Sequence, residues 1–129
     1  MSVLLRLGFW AAMIFSFVMA VLPQPPHLPG DPSDKILHIL AFGVLAALAP
    51  LAYRAAPLLR IGLLLSAFGA LIEVVQTIPE LHRDAELVDW AADTAALAAM
   101  LGLVGLWRAQ ASRRTAAQEN SRADSASQA

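Results

Sequence analysis

The chain has no cysteine, which excludes disulfides and thiol chemistry. Only 15% of its residues are charged, and the two signs nearly cancel at a net charge of -1, so nothing suggests a nucleic-acid partner. It has no internal repeat, and neither a His-Glu-x-x-His nor a Gly-x-Ser-x-Gly motif to announce a familiar chemistry. What fills the 129 residues is apolar: 58% are hydrophobic and the mean hydropathy is +0.61, outside the soluble globular norm. The composition describes one small membrane domain.

Four runs, at 3–22, 36–53, 57–78 and 87–107, approach the roughly 20 residues that a spanning helix needs. They predict an all-α integral membrane bundle of four transmembrane helices over residues 1–107. Pro50 is expected to end or bend the second. The first also resembles a signal peptide, with Arg6 before the apolar stretch and Val18-Met19-Ala20 as a cleavage-like sequence. That stretch exceeds the ~7 to 15 residues usual in such a region, which favours a retained helix. Pro23 to Gly30, with four prolines, reads as an extended loop. Residues 108–129 are rich in Ala, Ser, Gln and Arg with no apolar face, and read as a polar, disordered tail.

Lys and Arg set the orientation, because they are enriched in cytoplasmic segments. Arg6, Arg54, Arg60, Arg108, Arg113, Arg114 and Arg122, seven of the nine basic residues, fall on the first, third and fifth aqueous segments. Both termini are therefore expected on the cytoplasmic side of the membrane. Eight of the ten acids fall towards the opposite face. Tyr53 and Trp107 should mark the inner interface, and Trp90 the outer one.

Three of those acids, Glu73, Asp89 and Asp93, lie inside spanning runs, where a carboxylate costs ~2.5–3.5 kcal/mol even on the lenient insertion scale. Glu73 and Gln76 continue a helical stripe of Gly62, Ser66 and Gly69, whose small side chains permit close helix contact, so both should face protein. In the second run Asp31 is a plausible N-cap, Pro32 a first helical residue and Asp34 a first-turn acid, with His38 four residues on along the same face. Lys35 either joins this group or snorkels to the interface. In the fourth run Asp84 suits an N-cap and Glu86 a first turn. Capping does not account for Asp89 and Asp93, which share an arc with Glu86 and should point inward.

Converging near one face, Asp34, Lys35, His38, Glu73, Gln76, Arg83, Asp84, Glu86, Asp89 and Asp93 would form a polar site. Its six acids against two bases give a formal charge of -4, which under poor solvation favours proton uptake or a bound cation. Three chemistries stay open. His38, Glu73, Asp89 and Asp93 suit proton transfer and are the candidate catalytic groups. Carboxylates with imidazole could ligate a divalent metal, the one cofactor class in view. Lys35 and Arg83 could hold a phosphate or carboxylate head group, with Asp34, Gln76, Asp84 and Glu86 as further binding candidates.

Asp34-Lys35-Ile36-Leu37-His38 followed by Phe42, then Glu73-Val74-Val75-Gln76, then Arg83 with Glu86, Asp89 and Asp93, resembles the VanZ-like family of small bacterial membrane proteins. The resemblance spans about residues 31–105. Two positions depart from the family's pattern: Asp93 where Asn is frequent, adding an acid to the site, and Ala96 where Gly is frequent, changing helix packing. The family is named for an accessory protein linked to glycopeptide, notably teicoplanin, tolerance. The resemblance implies a multipass protein of the bacterial cell (inner or plasma) membrane and supplies no established reaction; with its polar site expected at the outer leaflet, the chain is read as acting on or binding an envelope lipid or lipid-linked precursor. Two alternatives stand beside it: a non-enzymatic component whose polar cluster joins helices, and a proton or ion pathway, which four short spans would need an oligomer to build.

The charge distribution yields a direct test. Single cysteines introduced as Gln24→Cys, His82→Cys and Ser125→Cys should label with an impermeant thiol reagent from outside spheroplasts at the first two positions and not at the third. Labelling of Ser125→Cys without His82→Cys would reverse the orientation.

Overall fold

The apolar runs fold as four α-helices in the computed structural model, which describes residues 2–23, 34–81 and 86–127. They are α1 (Ser2–Val21), α2 (Asp34–Ala52), α3 (Leu58–Gln76) and α4 (Leu87–Ser127), with a short 3₁₀ turn at Pro79–Leu81 between the last two. All four are long and apolar enough to cross a membrane, and the chain is a multipass membrane protein. Asp31, Pro32, Arg83 and Asp84 lie outside the described residues, as does the side chain of Asp34.

The helices run up and down. α2 packs most extensively on α4, α1 lies against α2 and α3 against α4, while α1 and α3 touch more lightly. The sequence explains the inward faces. On α2, His38, Phe42, Leu45, Ala46 and Ala49 follow the three-and-four spacing of one helical stripe, and all are buried. On α4, Asp93, Leu97 and Leu101 recur every fourth residue and are likewise buried. The outer faces carry exposed Leu, Val and Phe, which is the arrangement lipid requires and water would penalise.

Two glycines set helix separation. A Cβ on Gly62 would meet Leu101 Cδ1 at 3.2 Å, and one on Gly69 would meet Phe42 Cζ at 3.2 Å and Trp90 Cδ1 at 3.4 Å. Above Gly69, Phe68 stacks at a tilt against both Phe17 and Phe42, tying α1, α2 and α3 together.

At the end where α2 finishes, neighbouring helices supply what its last carbonyls lack. Arg108 donates to Pro50 O at 2.9 Å and Arg6 to Ala52 O at 3.3 Å, placing two cations at the negative end of the α2 dipole. Arg6 also lies over the Tyr53 ring, and Trp10 donates to Tyr53 Oη at 2.8 Å. Pro50 stays within the helix two residues before its end rather than terminating it.

The tail also differs from expectation: α4 continues as helix through Ser127. Ala, Arg, Gln and Glu are strong helix formers, and Ser112, Thr115 and Ser125 each donate to the carbonyl four residues back. The side chains described beyond Gln110 are exposed, so this extension rests on propensity and on continuity with a packed helix rather than on burial.

Gly69→Val should force Phe42 and Trp90 apart and destabilise the bundle by about 1–3 kcal/mol. Thermal unfolding in detergent measures this. An unchanged midpoint would show that the α2/α3/α4 contact does not depend on a bare backbone at residue 69.

Candidate functional site

At the opposite end, α1 and α3 finish and α2 and α4 begin, and the polar residues of the spans gather there. Asp93 sits one turn before Leu97 on the inward stripe of α4, and His38 one turn before Phe42 on that of α2. The two stripes face each other. His38 Nδ1 lies 3.2 Å from Asp93 Oδ2, with side-chain exposures of only 8% and 3%. Histidine and carboxylate are thus shielded together, and each offsets part of the other's desolvation.

Closer to the surface the same two helices form an ion pair. Lys35 Nζ lies 3.0 Å from Asp89 Oδ1 and 3.7 Å from Glu86 Oε2. Exposure falls from 55% at Glu86 and 40% at Lys35 to 14% at Asp89, so the charges descend from the rim to the buried His38–Asp93 pair. Lys35 therefore bridges to α4 rather than merely snorkelling. Asp89 occupies the first turn of α4, where an acid also favours the helix dipole. Glu86 correspondingly moves one step out: it precedes the helix, and its carbonyl accepts from the amides of Asp89 and Trp90.

Glu73 and Gln76 are buried on α3, as the small-residue stripe indicated. Glu73 Oε2 accepts the backbone N–H of Glu86 at 2.9 Å. In a capping box the acid at the third helical position returns to the N-cap amide. Here that position is Asp89, whose carboxylate pairs with Lys35, and Glu73 supplies the acceptor from another helix. Glu73 also lies within electrostatic range of His38, Asp89 and Asp93. Gln76 donates to Ala20 O at 2.9 Å, satisfying one of the carbonyls left open at the end of α1.

Lys35, His38, Glu73, Gln76, Glu86, Asp89 and Asp93 therefore share one end of the bundle. Arg83, Asp84 and the side chain of Asp34, expected in the same site, lie outside the described residues. Among the described residues, no group of three or more His, Asp or Glu is arranged to hold a metal ion.

Sequence reasoning passed over two contacts just beneath the site. Ser66 Oγ and Thr94 Oγ1 share a hydrogen bond of 3.0 Å between α3 and α4, and the Trp90 indole donates to Ser66 O at 3.1 Å. Thr94, adjoining Asp93 within an apolar run, was the available signal for the first. Trp90, expected as an interfacial marker, is instead turned towards α3.

The chain matches no family model, no curated protein and no solved structure. The functional reading rests on the residues and on this geometry.

Glu73→Leu should leave the Glu86 amide without its carboxylate and loosen the start of α4. A hydrogen bond to a charged group contributes about 1.5–3 kcal/mol, so exchange of that amide with deuterium should accelerate by about tenfold or more. Glu73→Gln retains an oxygen acceptor and should recover most of the protection. Equal exchange in all three proteins would show that Glu73 does not hold the α4 terminus.

Proposed function

We propose that this is a VanZ-like bacterial cell-membrane protein, with both termini in the cytoplasm, whose acidic end faces the outer leaflet and binds or acts on an envelope lipid or lipid-linked precursor. The observation that carries the reading is the His38–Asp93 contact, buried at the base of a descending series of charges. A carboxylate beside imidazole fixes the ring's tautomer and stabilises its protonated form. With Nδ1–H directed at Asp93, Nε2 becomes the atom that takes up or returns a proton. Asp89 and Lys35 lie on the path from the rim and suit recognition of a polar head group. A link to glycopeptide tolerance follows from the resemblance alone and would act through such an envelope lipid.

A helix-joining role is favoured at two positions by specific contacts. Glu73 holds the amide of Glu86 and Gln76 holds the carbonyl of Ala20, each completing the end of another helix. They are positioning residues in this reading. His38, Asp89 and Asp93 are left as the groups with chemistry to perform.

His38→Gln and Asp89→Asn nearly preserve volume while removing imidazole or charge. Each should insert and fold near normally yet fail to restore the envelope phenotype of a strain lacking the gene, whereas Gln76→Leu should mainly lower the thermal midpoint. Normal complementation by both substitutions would sink the functional site, and misfolding of both would favour a purely structural cluster.

A further inference from the structure

A groove of about 340 Å³ separates α1 from α2. Its walls include Ala12, Phe15 and Met19 on α1, and Leu37, Ala41 and Val44 on α2, and His38 lines it as well. From Ala12 to Met19 it follows α1 for about 10 Å at 1.5 Å per residue, wholly within the spanning segments. Phe15, Leu40 and Val44 are exposed along it, so it opens towards hydrocarbon rather than water.

Among the described residues, one groove lies between α3 and α4 and another between α1 and α3. Neither is lined by His38 or by any acid of the cluster. The α1/α2 groove differs from both in where it leads. Its His38 wall is the same imidazole that contacts Asp93, so an apolar trough and a buried acidic group meet at one side chain.

We propose that this groove holds a hydrocarbon chain of an amine-bearing phospholipid, whose ammonium group lies among the acids beyond His38. The inference rests on the lipid-binding reading above and names its ligand class. Charge selects the head group. Among the described residues the site carries four acids, Glu73, Glu86, Asp89 and Asp93, against Lys35 and His38, an excess that repels an anionic head and complements an ammonium. Asp93 Oδ1 is buried with no hydrogen-bond partner among the described residues, and an ammonium brings three donors. The phosphate of the same lipid has Lys35 at the rim, 40% exposed.

The test uses the full chain in vesicles of phosphatidylethanolamine and phosphatidylglycerol. Each lipid in turn carries a diazirine midway along one acyl chain, and labelled peptides are mapped by mass spectrometry after irradiation. The ethanolamine probe should label the peptides containing Phe15, Met19 and Val44 about tenfold more than those containing Leu63 and Leu71, exposed on α3. The glycerol probe should show no such preference. Ala41→Phe and Ala12→Leu, narrowing the groove from opposite walls, should each bring its labelling down to the α3 level without altering labelling there. Asp93→Asn should reduce the preference for the amine.

Uniform labelling around the bundle, equal labelling of the groove by both probes, or indifference to both narrowing substitutions would overturn the proposal. If labelling is uniform while His38→Gln and Asp89→Asn still fail to complement, the groove is lost and the polar site survives. Groove-specific, amine-selective labelling with full complementation by those variants would sustain the lipid site and remove the chemistry assigned to His38.

Discussion

Carboxylates set into an apolar bundle must each find a charge partner, a hydrogen-bond donor or water, and that demand governs how these four helices meet. Asp93 meets His38, Asp89 meets Lys35, and Glu73 meets the amide of Glu86. The first two cross from α2 to α4 and the third ties α3 to the residue that precedes α4, so together they join α2 and α3 to the start of α4. Apolar packing among helices is weakly directional in lipid, where the surrounding chains are as apolar as leucine. The polar contacts supply the register that Leu, Ala and Phe leave loose. Gly69 lets Phe42 and Trp90 come close enough on α2 and α4 for those contacts to close.

Much of this was legible because a helix repeats. Asp89 and Asp93 share the face of Leu97 and Leu101, so spacing alone turned the acids inward, and Gly69, Glu73 and Gln76 lie on one stripe for the same reason. The partners were harder to read. The group that Glu73 holds is a backbone N–H and the group that Gln76 holds is a backbone carbonyl, and neither has a residue type to betray it. The extension of α4 escaped for a different reason: lack of an apolar face was read as lack of structure, whereas a packed helix had already met the nucleation cost and good helix formers could prolong it.

The arginines at the basic end were legible in one role and hidden in another. Arg6 and Arg108 read as topology determinants, yet both reach across to carbonyls at the end of α2. In the orientation proposed here the two roles reinforce each other, because the residues that favour the cytoplasmic side also complete a helix terminus there. Replacing either would remove a topology signal and expose a carbonyl at once, so an inverted or unstable variant at these positions would not by itself identify which role had failed.

The acidic end divides its labour along the depth of the bundle. Glu73 and Gln76 serve backbone groups that every copy of this fold must satisfy, and their geometry leaves little freedom for a ligand. Lys35, Asp89, His38 and Asp93 serve one another instead, in pairs that run from half-exposed to buried. A pair of side chains can exchange its partner for a ligand group without opening a helix end, whereas a capped amide cannot. If replacing a buried ion pair by apolar residues is often neutral or stabilising, stability alone gives weak reason to retain His38 opposite Asp93 when Phe42 and Leu97, each one turn below, are buried apolar residues. The pair is better understood as a cost held in place by the surrounding contacts, at the one depth where the α1/α2 groove meets the charged interior.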